Sequence, residues 1–129
     1  MNTGKLLGLL IGSAVILGLH WNGMYHGGYL YFWYDSMMHF LGGAWIAAAL
    51  HELLYGMYRL GNLSRAFAPY MLAVVGGTFV VGVGWEVFEY IYGIATLHPE
   101  MYWPDTIKDL ALDTLGAIAV VLAYLKNKA

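Results

Sequence analysis

Three aspartates stand at four-residue intervals in a stretch that would otherwise be apolar enough to cross a lipid bilayer. Asp105, Asp109 and Asp113 lie in the segment DTIKDLALDTLG, which continues directly into the apolar run AIAVVLAYL. This spacing places the three carboxylates on one face of a helix, over roughly three turns. Charged groups are costly inside a bilayer and normally face a bundle interior, a cavity or a partner. The stripe therefore requires polar groups on neighbouring helices.

The composition is that of a membrane protein. Of 129 residues, 60% are hydrophobic and only 11% are charged, whereas soluble domains are about a quarter charged. We expect a single small domain, residues 1–129. The absence of cysteine excludes disulfides and thiolate metal sites. No basic tract is present, so a nucleic-acid partner is not expected.

The apolar segments predict an all-α integral membrane protein, a bundle of four transmembrane helices. Short connections between them favour an up-down-up-down arrangement. The predicted spans are about 5–21, 35–58, 69–92 and 105–125.

The first span resembles a signal peptide but lacks a small-x-small cleavage pattern, so we expect it to be retained as a helix. Gly4, Gly8 and Gly12 recur every four residues and predict a close packing face. The glycine-containing segment 22–28 is expected to end this helix. Gly42 and Gly43 are expected to permit close packing of the second span.

Lysine and arginine set the orientation. They flank the expected cytoplasmic ends of the spans, and the connections on the other side carry none. Both termini are therefore expected to be cytoplasmic, in a multi-pass protein of a bacterial or archaeal cytoplasmic (inner) membrane. The residues behind this expectation are Lys5, Arg59, Arg65, Lys126 and Lys128.

The orientation brings most of the acidic residues to the outer side of the membrane. Spans two and four enter from that side and span three leaves there. At about 1.5 Å per residue, their polar groups all fall in the outer third to half of the bilayer. These candidate ligands are Asp35, His39, Glu86, Glu89, Asp105, Asp109 and Asp113.

Six carboxylates and one imidazole at low dielectric need compensation, and Lys108 is the only nearby cation. A bound divalent metal, shared protons or a water-filled cavity would each supply it. Inward carboxylates and histidines at i, i+3 or i+4 hold metals in four-helix bundles. Oxygen-rich ligation with one histidine suits Mg²⁺, Mn²⁺, Fe(II) or Zn²⁺.

The leading hypothesis is a metal site acting on a lipid or cell-envelope substrate at the headgroup level. Whether the site is catalytic stays open. One alternative is a non-enzymatic membrane subunit whose acids pack helices or bind a partner, as a homo-oligomer or within a larger complex. A proton or cation pathway along the stripe is another. Membrane lipid is the expected partner.

The other polar residues are not candidate metal ligands. His20, His26 and His98 are expected at the interface or in loops. His51 and Glu52 are expected to form a local polar cluster near the inner end. Ser36 lies three residues before His39, but serine at the start of a span is usually only polar.

Three short motifs resemble the YjdF-like family of small bacterial inner-membrane proteins and, more distantly, the VanZ-like family. They are an aspartate four residues before His-Phe, a Trp-Glu-x-x-Glu, and an Asp-Thr-x-x-Asp-Leu followed by Gly-Ala. A VanZ-like pattern usually has Glu-x-x-Gln and an asparagine where this chain has Glu89 and Asp113. The resemblance implies that these residues act together at the cell envelope, and it implies no particular reaction. The residues are Asp35, His39, Phe40, Gly42 or Gly43, Trp85, Glu86, Glu89, Asp105, Thr106, Asp109, Leu110, Gly116 and Ala117.

Overall fold

The chain is all-α in a computed structural model that describes residues 3–59, 67–92 and 101–126. A 3-10 turn, Gly28–Leu30, connects the first two helices, and a π-helical segment, Leu72–Gly76, joins the third and fourth. The helices are α1 (Thr3–His26), α2 (Phe32–Arg59), α3 (Phe67–Met71), α4 (Gly77–Tyr92) and α5 (Tyr102–Lys126).

The first helix extends further than its sequence predicted. It was expected to break at 22–28, but it continues to His26 and ends at Gly27, whose φ of 72° lies in the left-handed region. Glycine takes this conformation without steric penalty, which makes it a common helix terminator. Gly23, also expected to break the helix, instead lies buried within it, because Tyr29 and Tyr34 pack against its backbone.

Within the part of the chain that the structure describes, three segments are long and apolar enough to cross a membrane: Thr3–His26, Phe32–Tyr55 and Ala68–Tyr92. The last runs without interruption through α3, the π-helical segment and α4. The fourth predicted span corresponds to α5, which has 25 residues but carries the aspartate stripe.

α2 and α5 lie side by side and run parallel, crossing at two glycines. A Cβ added at Gly43 would overlap the backbone of Asp113, and one added at Gly116 would overlap the carbonyl oxygen of Phe40. Small residues allow this close approach of two backbones. α2 and α5, the second and fourth predicted spans, are therefore direct neighbours in the bundle and do not lie diagonally across it.

α4 runs antiparallel to α2 and α5 and completes the packed centre. Gly77 of α4 lies against Leu50 of α2, and Gly82 lies against Leu110 and Asp113 of α5. Below the polar residues, a fully buried apolar layer joins these helices and the π-helical segment. It consists of Ala47, Val74, Ala117 and Val121.

α1 packs mainly along α2, and most of its surface is exposed. The expected glycine face is only partly used: Gly12 meets Trp45 of α2, whereas Gly8 has no atom within 4 Å of an added Cβ. At the end of the bundle opposite the aspartate stripe, Lys5 Nζ lies 2.8 Å from Oε1 of Glu52. This ion pair links the start of α1 to α2.

Several sequence expectations lie outside the described residues. These concern the arginine-containing turn at 60–66, the connection at 93–100 with His98, and the basic tail at 127–129.

Candidate metal centre

His39 lies at the centre of the polar cluster, between α2, α4 and α5. Its side chain is 7% exposed. Its Nε2 atom lies 3.8 Å from Oδ1 of Asp35, 3.9 Å from Oε1 of Glu86 and 3.8 Å from Oδ2 of Asp109. These separations exceed hydrogen-bond length. One imidazole nitrogen therefore faces three carboxylate oxygens, each from a different helix, without bonding to any of them.

Each of these carboxylates is held through its other oxygen. Lys108 Nζ lies 2.9 Å from Oδ2 of Asp35 and 3.0 Å from Oδ1 of Asp109. The Thr106 hydroxyl donates a 2.8 Å hydrogen bond to Oε2 of Glu86. In each of the three residues, the oxygen that is not held by Lys108 or Thr106 is the one that faces His39. This division leaves one oxygen of each carboxylate available at the imidazole.

Two buried oxygens in this cluster accept no hydrogen bond: Oε1 of Glu86 and Oδ1 of Asp109. The Asp109 oxygen still has Lys108 as an ion-pair partner. Glu86 Oε1 belongs to a side chain that is 6% exposed, and its ion-pair partner is His39 Nε2 at 3.9 Å, beyond hydrogen-bond length. Buried polar atoms without a partner are rare in folded proteins, and each requires an explanation. A cation between Glu86 and His39 would supply the missing partner.

The opposite side of the imidazole faces Asp113. His39 Nδ1 lies 3.5 Å from Oδ2 of this aspartate. Gly82 of α4 leaves room for the carboxylate, since a Cβ there would lie 2.5 Å from the same oxygen. A carboxylate on the second ring nitrogen is the usual way to orient a metal-binding histidine. Asp113 is therefore placed to orient the His39 ring through Nδ1, and it does not join the three carboxylates that face Nε2.

The remaining two predicted ligands lie at the edge of the cluster. Asp105 Oδ1 is 2.6 Å from Lys108 Nζ. Glu89 Oε1 accepts a 2.9 Å hydrogen bond from Trp85 Nε1, and Glu89 still lies within the cluster that contains His39 and Glu86. Asp105 thus supports Lys108, and Glu89 extends the acidic surface along α4.

The spacing of the potential donor atoms is compatible with a shared metal ion. One ligand atom each from Asp35, His39 and Asp109 lie within 4.8 Å of one another, as do those from His39, Glu86 and Glu89. Two ligands about 2.0–2.2 Å from a shared ion lie roughly 3 to 4 Å apart. The separations of 3.8–3.9 Å around Nε2 fall at the upper end of that range.

Several polar residues that the sequence analysis left out of the ligand set have other hydrogen-bond or ion-pair partners in the structure. His51 and Glu52 are at the other end of α2, where His51 Nδ1 lies 2.6 Å from the Tyr70 hydroxyl. Their cluster includes Lys5, which the sequence did not point to. Ser36 donates its hydroxyl to the Phe32 carbonyl on its own helix.

The sequence placed Thr106 in a motif shared with the resembled family but did not assign it a role among the candidate ligands. Its position three residues before Asp109 places both on one face of α5, and this spacing was the available signal. The role of Thr106, holding Glu86 from across the bundle, depends on the packing of α4 against α5.

The fold and the cluster define a helical membrane protein with a buried carboxylate–histidine centre. The chain belongs to the family described as predicted membrane protein (DUF2238), whose model matches residues 3–128. Neither the curated proteins nor the solved structures contain a significant match to it.

Proposed function

We propose that this protein binds a divalent metal ion at the outer side of the cytoplasmic membrane. The ligands would be His39 Nε2 and the available oxygens of Asp35, Glu86 and Asp109. The observation that carries this proposal is the anchoring of each carboxylate through one oxygen, with the other left near His39. Metal-binding carboxylates are themselves commonly held by such hydrogen bonds.

The donor set narrows the choice of metal. Three carboxylates and one imidazole suit Mg²⁺, Mn²⁺, Fe(II) or Zn²⁺, and the absence of sulfur ligands disfavours Cu(I). When bound, such an ion polarises a phosphoryl or carbonyl oxygen, or makes a bound water more acidic. The substrate would be a lipid or another cell-envelope compound that reaches the site from the outer leaflet.

We also propose how the chain crosses the membrane. α5 would form the fourth span, with its acidic face turned to α2 and α4 rather than to lipid. Both termini would then be cytoplasmic, in an inner membrane, and family membership supports the resemblance to YjdF-like proteins. The Lys5–Glu52 pair would lie at the cytoplasmic end, away from the metal.

Two observations favour a second function, that of a non-enzymatic subunit. Lys108 contacts Asp35, Asp105 and Asp109, so part of the negative charge is already balanced within the chain. α1 also leaves many large apolar side chains exposed, including Leu10, Val15 and Leu17, which would suit a neighbouring subunit or a second copy. In this reading the acids stabilise helix packing and bind no metal.

A proton or cation path across the membrane has less support. The apolar layer of Ala47, Val74, Ala117 and Val121 is fully buried between the outer cluster and Glu52. Ionisable residues that conduct normally continue through the membrane or line a water-filled cavity.

The test is metal content and metal titration of the purified full-length protein. We expect a near-stoichiometric divalent ion by elemental analysis, or its uptake by calorimetry after chelation. His39→Ala should lose this binding, while Glu52→Gln, at the other end of the bundle, should retain it. Wild-type protein that neither copurifies with a divalent ion nor takes one up would favour the subunit function.

A further inference from the structure

A cavity of about 240 Å³ lies beside the cluster, between α1, α2 and α4. It has room for about eight water molecules at ~30 Å³ each. Its surface is almost entirely apolar, with walls that include Ile16, Leu17, Met38, Ile46 and Val81. Water is poorly held in apolar cavities, which favour apolar guests. The cavity is therefore suited to a hydrocarbon or aromatic body.

The carboxylates of the cavity lie toward its outer end, where Asp35, Glu89 and Asp113 line it. Among the described residues that line the cavity, none is lysine or arginine, and Lys108, outside the lining, pairs with Oδ2 of Asp35. An occupant whose head reached this end would meet negative charge.

Aromatic rings also line the cavity. Tyr29 and Trp85 lie at the end with the carboxylates, whereas Trp45 lies farther along α2, where its Nε1 donates to the Leu9 carbonyl. The ring of His20 packs edge-on against Tyr29 and Trp85, with centroids 5.6 and 5.8 Å away. Burial raises the pKa of the Tyr29 hydroxyl, so this hydroxyl stays neutral beside His20. Aromatic faces attract organic cations, most strongly where water is excluded.

The charge balance decides between a cationic and an anionic head group. Six carboxylates lie in this cluster with two basic side chains, Lys108 and His39. Within the chain itself the acidic groups are in excess. This excess would repel a phosphate or carboxylate that did not bind the metal directly, and it would attract an ammonium group.

We propose that this cavity binds a lipophilic organic cation, an amine or quaternary ammonium attached to an apolar body. The body fills the space between α1, α2 and α4. The ammonium lies near Glu89, whose carboxylate is oriented by Trp85. This binding does not depend on the metal, which enters only as a competing positive charge.

Two glycines provide a matched pair of variants. Gly42 lines the cavity and Gly84 does not, and a Cβ added at either meets no atom within 4 Å. Gly42→Leu should fill the cavity without disturbing helix packing. Gly84→Leu adds the same side chain to the exposed surface of α4.

The experiment is equilibrium dialysis of radiolabelled octyltrimethylammonium against the full-length protein in a nonionic detergent, with empty micelles as the blank. Wild type and Gly84→Leu should bind about one probe per chain. Gly42→Leu should lose saturable binding, and Glu89→Gln should bind at least about tenfold more weakly. Unlabelled octyl sulfate, with the same chain and the opposite charge, should not displace the probe.

Displacement by octyl sulfate as effective as by the cation would overturn the proposal, as would wild-type affinity in Glu89→Gln. The same assay with a chelator separates this inference from the metal. Chelation should leave cation binding unchanged or tighten it, because a metal ion and an ammonium group repel each other, whereas loss of binding on chelation would overturn the proposal. Cation binding by a protein that takes up no metal would sustain this inference while refuting the proposed metal function.

Discussion

His39 Nε2 lies 3.9 Å from Oε1 of Glu86, and that buried oxygen accepts no hydrogen bond. Leaving a buried acceptor unpaired costs about 1–3 kcal/mol, and more for a charged group. Moving the carboxylate to satisfy Oε1 would break the bond that Thr106 donates to Oε2. A divalent ion bound between His39 and Glu86, as proposed above, would give this oxygen a partner without breaking the bond to Thr106.

Removal of divalent ions should lower the thermal stability of the protein. A ligand that binds only the folded state stabilises it by RT ln(1 + [L]/Kd), about 2.7 kcal/mol at a hundredfold excess over Kd. We expect chelation to lower the melting temperature in detergent and a divalent ion to restore it. Differential scanning fluorimetry measures the change.

The matched variants for this experiment are Asp109→Asn and Glu52→Gln. Asp109→Asn should blunt the response to chelator because it weakens a proposed ligand. Glu52→Gln should keep the full response, although it loses the ion pair with Lys5 and melts lower. An equal response in Asp109→Asn and wild type would remove Asp109 from the ligand set.

Thr106→Val should weaken metal binding without touching a ligand. It removes the hydroxyl that holds Oε2 of Glu86, and loss of such a supporting bond typically lowers metal affinity about 10- to 100-fold. Thr114→Val is the control, since Thr114 donates only to the Leu110 carbonyl of its own helix. Titration calorimetry measures the metal affinity of both variants. If the two lose affinity equally, the Thr106 bond has no special role.

Gly43→Ala should disrupt the crossing of α2 and α5. The new methyl group would overlap the backbone of Asp113, which cannot move aside as a side chain can. Overpacking of this kind costs about 1–3 kcal/mol, and separating the helices would also move His39 away from Asp109. The neighbouring Gly42→Ala enters open space and should be neutral or stabilise the helix by about 0.5–1 kcal/mol. Melting curves that rank the two in the reverse order would contradict the packing described above.

Reporter fusions should give both termini and the segment 60–66 a cytoplasmic location, and a fusion near His98 an external one. The reason is the distribution of lysine and arginine, which are retained on the cytoplasmic side. Paired alkaline phosphatase and fluorescent protein fusions make the measurement. A periplasmic signal from 60–66 would place the metal site on the cytoplasmic side instead.

Much of the architecture could be predicted from local sequence. The hydropathy of the chain indicated its membrane class, and the four-residue spacing of Asp105, Asp109 and Asp113 indicated a helix that must be covered by others. The end of α1 was misplaced, because glycines inside a helix and at its end look alike in sequence. Among the glycines of the described residues, Gly27 alone takes a positive φ.

By itself, the sequence determined which residues share a helix face and which end of the bundle they occupy, since both follow from a regular rise per residue and an alternating topology. It did not determine the direct contact of α2 with α5, which depends on how Gly43 and Gly116 fit against the opposite backbones. That contact decides that Asp113 faces one nitrogen of His39 while Asp35, Glu86 and Asp109 face the other. The division arises from distances between atoms on separate helices, and only the packed structure sets those distances.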